Sequence, residues 1–369
     1  MTFLYSIITI CLFIVLLCLI IASSEKFLGQ SGDVEVCINK DKKFKANKGL
    51  KLLSALAENN IYLPASCGGK GNCGRCQLKV LSGGGYPTAL EHATLSETDI
   101  KAGTRLSCQI KLRENISLEI PQNLLNVQSF KAKLIGIKEL AYRIKELHFK
   151  LEEGKELDFK AGQYVQITRT LPRENVIRAY SISSSPESKR EFTLDIQLIE
   201  GGLMSNYLHS LEKDTIIDFC APFGDMYVNT DRENTGTILM VAGGVGLAPM
   251  RSIISYLVDT SFKGKIILFH GVRSKKYLYR ENDYKKLKKE QPNFDYIPVL
   301  SEPALEDGWI GKTGLVTQIL EEYLNENHYE KATIECYLCG PSKMMEISEK
   351  ILIEKGIDTN KIHSDPFSF

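Results

Sequence analysis

Apolar positions outline the chain before any motif is considered. Residues 2–22 read TFLYSIITICLFIVLLCLIIA, 21 positions without a charge. As a helix they would span about 31 Å, the thickness of a bilayer core. A cleaved signal peptide would start with basic residues and carry a shorter apolar stretch, and no Lys or Arg precedes this one. The pattern predicts an uncleaved transmembrane anchor over residues 1–24. Lys26, Lys40, Lys42, Lys43 and Lys45 follow it. The positive-inside rule then predicts a single-pass protein with its soluble domains facing the cytoplasm. Cys11 and Cys18 lie inside the run and are expected to act as small hydrophobes.

The pattern then changes several times. Residues 23–33 are polar and contain Gly and Ser, as a linker does. Positions 34–38 alternate like a strand, with a hairpin partner over 44–48, and 50–58 has helical spacing through Leu52, Leu53, Leu56 and Ala57. A Gly-rich segment with three cysteines follows, and 126–129 reads as a boundary. From Phe130 to about Tyr227, short strands alternate with turns, which predicts a small antiparallel barrel. From about Thr237 the order becomes strand, Gly-rich turn, helix, repeated, the signature of a parallel α/β sheet. The expected domains are 32–127, 128–231 and 232–369.

Composition narrows the classes. A chain of 369 residues, 43% hydrophobic and 25% charged, has room for two or three globular domains, and is not a disordered, collagen-like or multi-span protein. A formal net charge of +1 gives no global bias toward nucleic acid. Ten cysteines are too few for a disulfide scaffold at this length, and their clustering points to metal ligation in a reducing compartment.

Cys67, Cys73 and Cys76 are separated by five and two residues, and Cys108 follows after 31 more. Three close cysteines and one distant one match the plant-ferredoxin style of [2Fe–2S] ligation, with one residue more in the first gap. Zinc sites usually come as two close pairs, whereas here the fourth ligand stands alone. Gly68, Gly69, Gly71 and Gly74 would let the backbone wrap round a cluster. Cys37, Cys220 and Cys336 have no partner at ligand spacing and are expected to be buried structural thiols.

Two further segments carry chemistry. Arg178-Ala179-Tyr180-Ser181 lies in a strand-like run, and Gly201-Gly202-Leu203-Met204-Ser205 opens a helix. Glycines before a helix start suit a pyrophosphate, and an Arg pairs with phosphate; alone, each could be an ordinary edge strand or helix start. Downstream, the apolar strand 238–242 runs into Gly243-Gly244-Val245-Gly246-Leu247-Ala248-Pro249-Met250 and a helix, a candidate dinucleotide phosphate site. Tyr337-Leu338-Cys339-Gly340-Pro341 is a second strand with a tight turn.

RAYS and GGLMS together resemble the FAD-binding domain of the ferredoxin–NADP reductase superfamily, over residues 130–369. The resemblance implies that Arg178, Gly202, Met204 and Ser205 hold the FAD pyrophosphate. It also implies that Tyr180 and Ser181 lie against the isoalloxazine, with the Ser181 hydroxyl near N5. Gly243, Gly244, Gly246 and Pro249 would bind the NAD pyrophosphate. The Cys339-Gly340-Pro341 turn would lie beside the nicotinamide, with Cys339 near the hydride-transfer carbon, a reading preferred to that of a buried strand-end cysteine. Family members often end with an aromatic against the flavin, a place that Phe367 matches best, with Phe369 as the alternative. After Phe269 the sequence HGVRSKK has no acid for a ribose hydroxyl; Arg273 and Ser274 could take a 2′-phosphate or belong to an NADH site. The six histidines show no ligand spacing and are read as incidental.

The whole order resembles the F subunits of the Na⁺-translocating NADH:quinone oxidoreductases. It rests on the anchor, the cysteine spacing, SGGGYPTALE, RAYS, GGLMS, GGVGLAPMRS and CGP. The implied fold is an N-terminal transmembrane helix, a β-grasp ferredoxin-like α+β domain, an antiparallel FAD barrel and a parallel-sheet NAD domain. The implied flow runs from NADH through FAD and [2Fe–2S] to other membrane subunits, a flavin being the converter between hydride and single electrons. Between Gln163 and Arg178 the chain lacks that family's long insertion, which leaves room for a reductase of an oxygenase or another redox partner. An anchored, non-catalytic interaction protein is the third reading. One span offers no ion channel, so sodium translocation enters only through the resemblance.

Overall fold

The computed structural model describes residues 5, 10–18, 32–171, 175–228, 235–327, 329–331 and 333–367. The expected anchor falls mostly outside these; residues 10–18 within it are helical and exposed. Among the described residues no helix is long and apolar enough to cross a membrane. The chain forms two compact units, residues up to 63 with 69–125, and Pro64–Gly68 with Asn126–Phe369.

The first unit is built on a five-stranded sheet in the order β2-β1-β5-β3-β4. Its strands are β1 Asp33–Ile38, β2 Lys42–Asn47, β3 Gln77–Ser82, β4 Thr104–Leu106 and β5 Ile116–Glu119. Val34, Val36 and Ile38 alternate inward on β1 and pack with Leu52 and Leu56 of helix α1 (Leu52–Glu58). Two short helices, α2 Ala89–Thr94 and α3 Glu97–Lys101, connect β3 to β4, and α4 Gln122–Leu125 ends the unit.

In the second unit an antiparallel sheet has the order β10-β7-β6-β11-β8-β9. These strands are β6 Gln128–Ala141, β7 Ile144–Leu151, β8 Tyr164–Thr170, β9 Asn175–Ser181, β10 Glu191–Gln197 and β11 Ile216–Phe223. A bridge between Ile182 and Leu194 joins the two edges, so the sheet closes on itself. Two stacked ring pairs, Phe130 on Phe219 and Phe149 on Phe192, meet at a tilted Phe192–Phe219 contact in its core. Helix α5 (Leu203–His209) follows β10.

A parallel sheet follows, in the order β15-β14-β13-β12-β16-β17. It comprises β12 Thr237–Gly243, β13 Lys265–Val272, β14 Phe294–Leu300, β15 Lys312–Thr313, β16 Ile334–Pro341 and β17 Ile362–Phe367. Helices α6 Leu247–Asp259, α7 Glu281–Glu290, α8 Val316–Glu326 and α9 Ser342–Glu354 connect the strands. The central strands β12, β13 and β16 are near-continuous apolar runs, as burial on both faces demands. The strand order reverses between β12 and β16, the switch point at which such sheets bind ligands.

Four charges join barrel to parallel sheet. Glu146 on β7 and Asp195 on β10 meet Arg251 of α6 and Arg280, which precedes α7. Arg251 Nη1 donates to Glu146 Oε2 at 2.7 Å, and Arg280 Nη2 pairs with the same carboxylate. Ser183 Oγ donates to Asp195 Oδ1 at 3.0 Å. Burial alone would raise the Glu146 carboxyl, but the two guanidiniums outweigh it and hold it low. Asp195, deeper still, is raised by burial in spite of the same partners.

Candidate functional site

Cys76 ends the Gly-rich loop of the first unit and Cys108 follows β4; both are buried beside Leu95 and Leu106. Their thiols are hydrogen-bonded, and that bond first, then burial, pushes the Cys76 thiol far above its ordinary value. Two thiols in so dry a place ionise readily only if a metal supplies positive charge, which suits a thiolate-held group. Cys73 is half-buried, and Cys67, also half-buried, falls in Pro64–Gly68. Among the described residues no group of three or more His, Cys, Asp or Glu surrounds a single ion position. The loop disfavours a side chain at two points, where the backbone is left-handed and a Cβ would also press on a neighbouring side chain. Gly71 has φ +87°, and a Cβ there would lie 2.5 Å from Gln109 Nε2; at Gly74 it would lie 2.9 Å from Thr94 Cγ2. Gln109 Nε2 donates to Cys108 Sγ at 3.3 Å.

In the barrel, β9 pairs with β8 so that Ser181 faces Tyr164 and Arg178 faces Ile167. Ser181 is buried, while Arg178 and Tyr180 are half-buried. Burial raises the Tyr180 phenol against the opposing charge of Arg178. Arg178 Nη1 donates to the carbonyl of Ile177 at 2.8 Å. Gly202 starts α5, and a Cβ on it would fall 2.7 Å from Ser205 Oγ. Ser205 Oγ accepts from Ile199 N at 3.1 Å, and Asn206 Nδ2 donates to Gly202 O at 2.7 Å, so both close the 199–202 turn. Met204 packs into the barrel core. Arg169 is a cation that the sequence reading missed: its guanidinium stacks on Tyr207 at 4.4 Å and reaches Leu203 O at 3.3 Å. Two positions along the sheet from the register of Arg178, it stands on the same side of the pleat.

At the switch point the two expected turns touch. Ala242 and Cys339 are register partners. A Cβ on Gly246 would lie 2.2 Å from the Cys339 carbonyl oxygen, and one on Gly340 would lie 3.0 Å from Gly243 Cα. Only glycine permits that approach. Gly243 and Pro249 are buried, Gly244 is half-buried with φ +56°, and Pro341 caps α9. Cys339 is fully buried in the core beneath its turn, which fits a packing role before a direct one at the nicotinamide. Phe367 ends β17 opposite Pro341; its side chain lies outside the described residues. His270, read as incidental, is fully buried on β13, with Nε2 3.2 Å from Gly244 O and Nδ1 3.4 Å from the Tyr296 hydroxyl. Arg273 faces Glu302, Nε to Oε1 3.8 Å, both exposed, so a carboxylate stands after the next strand, β14. Of the three unclustered thiols expected to be buried, Cys336 is buried, but Cys37 and Cys220 are only half-buried.

Comparisons with known proteins fall on the same segments. Residues 37–113 match the 2Fe-2S iron-sulfur cluster binding domain, 131–227 the oxidoreductase FAD-binding domain, and 240–350 the oxidoreductase NAD-binding domain. The F subunit of the Na(+)-translocating NADH-quinone reductase of Actinobacillus succinogenes is 33% identical over 398 residues, covering 96% of either chain. The F subunit of the Marinomonas sp. enzyme is 34% identical over 388 residues, 94% of either chain. The chain belongs to the F-subunit family of Na⁺-translocating NADH-quinone reductases. The 2Fe-2S, FAD-binding and NAD-binding domain matches follow one another in this order along the chain. The ferredoxin reductase of carbazole 1,9a-dioxygenase shares the fold, with a TM-score of 0.70 at 21% identity, covering 91% of this chain and 99% of its own.

Proposed function

We infer that this chain oxidises NADH and passes the electrons singly to partner subunits of a quinone-reducing, Na⁺-translocating complex in the inner membrane. The observation that carries the reading is the pairing, in one chain, of a dinucleotide cradle at the β12/β16 switch point with the buried thiols of Cys76 and Cys108. When bound, the flavin takes hydride from NADH and releases electrons one at a time, and the cluster accepts them singly.

The chain's own residues bind and orient. Cys67, Cys73, Cys76 and Cys108 would ligate the cluster. Arg178, with Arg169 on the same side, would meet the FAD pyrophosphate, while Ser205 and Asn206 hold the 199–202 turn that presents Gly202. Ser181 would set its hydroxyl against the flavin beside Tyr180. Gly243, Gly244, Gly246 and Pro249 would cradle the NADH phosphates. Gly340 and Pro341 would border the nicotinamide, with Cys339 packed beneath and Phe367 alongside Pro341. The Glu302 carboxylate beside Arg273 would offer an acceptor to a ribose hydroxyl, which supports NADH as the donor. The 21 uncharged residues at 2–22, with the lysines after them, support a single anchor and cytoplasmic domains.

Cys76→Ala tests the order of transfer. The variant should retain FAD and bleach with NADH at the wild-type rate, yet lose quinone reduction in the complex. A folded, FAD-replete variant that no longer bleaches would contradict the order.

A further inference from the structure

A groove of about 280 Å³ opens in the first unit between the glycine turn after β3 and the segment after Cys108. Ile110 and Leu112, both buried, form part of its floor. The turn is built to be rigid. Arg105 and Glu91, both buried, pair at 2.8 Å. The guanidinium also donates to the carbonyls of Gly85 at 2.8 Å and Tyr86 at 3.1 Å. Glu91 in turn accepts from the N–H groups of Thr88 and Leu106. This fully satisfied clamp holds out one side chain, Tyr86, which is 96% exposed. An aromatic side chain left in water on a fixed backbone turn at the edge of a groove has the anatomy of a binding anchor.

Two more observations say what binds. Gln109 lines the groove, and its amide donates to Cys108 Sγ, so an occupant would stand one side chain away from an expected cluster ligand. Lys111 and Arg113 stand exposed on the same wall against one carboxylate, Glu114, and Lys51 is bridged to Lys111. Arg105 adds no net charge, being paired to Glu91. The rim is cationic.

We propose that this groove docks an acidic segment of the membrane subunit that takes the electron, with Tyr86 as anchor and Lys51, Lys111 and Arg113 as the steering charges. In the step it serves, one electron leaves the reduced cluster, which is reoxidised, for a one-electron acceptor, which is reduced; no bond forms or breaks. The proposal rests on the electron-transfer reading and on Cys108 as a cluster ligand.

The test uses the whole complex in native membranes, with the double substitution Lys111→Glu/Arg113→Glu and, separately, Tyr86→Ala. NADH:quinone reduction should fall at least about tenfold, a loss of the order set by truncating or reversing interface anchors. The NADH-reduced cluster signal in EPR should keep full intensity and persist through turnover. p-Benzoylphenylalanine in place of Tyr86 should cross-link to a partner membrane protein of the complex, identified by mass spectrometry. Wild-type quinone reduction in both variants would overturn the proposal. So would a lost cluster signal, which would make these residues part of cluster assembly, or a cross-link to a second copy of this chain. A wild-type complex whose cluster NADH does not reduce would overturn the electron-transfer reading itself, and the docking proposal with it.

Discussion

His270 sits fully buried behind the turn that is expected to cradle the NADH phosphates. The Gly244 carbonyl can only accept, so Nε2 carries the proton and Nδ1 accepts from the Tyr296 hydroxyl. Burial pulls the imidazole from 6.5 down to about 4, against the raising effect of the Gly244 bond. The folded state therefore refuses a proton that the unfolded chain binds between those two values. Stability should be unaffected by this group above pH 6.5 and should fall as the pH drops toward about 4. The loss approaches about 3 kcal/mol from this one residue. Urea denaturation at pH 7 and pH 5 checks this: His270→Gln should show a smaller acid loss than the wild type. An identical pH dependence would contradict the assignment. Nothing in the sequence marks this histidine, because its partners come from the register of β12 and β14 beside β13, which no local spacing encodes. The same holds for Arg169, an ordinary polar residue until the fold brings it to Leu203 and Tyr207.

Elements with strong local signals were legible. The apolar β12, its glycine turn and α6 follow from five consecutive buried residues, 238–242, and from a run of glycines in which Gly246 has no room for a side chain. Gly246→Ala should show this. The new Cβ would meet a backbone carbonyl at 2.2 Å, with no flexible side chain to yield. kcat/KM for NADH should fall by about 10²-fold, as for a misplaced binding turn. FAD content, measured by absorbance, should stay at the wild-type level. An unchanged KM for NADH would remove the turn from the site. The barrel was less legible. β6 runs for 14 residues with two register shifts, bending across the sheet where the pattern suggested short strands. Helix α7, ENDYKKLKKE, has one buried residue, Tyr284, and so little apolar periodicity to read.

At the scale of the molecule, the sequence order of modules was readable because each carries its own chemistry: clustered cysteines, an Arg-Tyr-Ser strand, paired glycine turns. What holds the barrel to the parallel sheet was not. Glu146, Asp195, Arg251 and Arg280 are ordinary charges scattered over 134 positions of sequence separation, and only the fold collects them. Breaking one partner of such a buried set leaves an uncompensated charge, which is why the four stand or fall together. The joined barrel and sheet provide a hydride-accepting half, and the cysteine unit provides a one-electron half. The full-length chain, purified in detergent and titrated anaerobically with NADH under EPR, tests that division most directly. Flavin absorbance should bleach, and a rhombic reduced [2Fe–2S] signal should grow with it. A chain that carries both FAD and cluster, yet whose cluster stays oxidised while the flavin bleaches, would contradict the account.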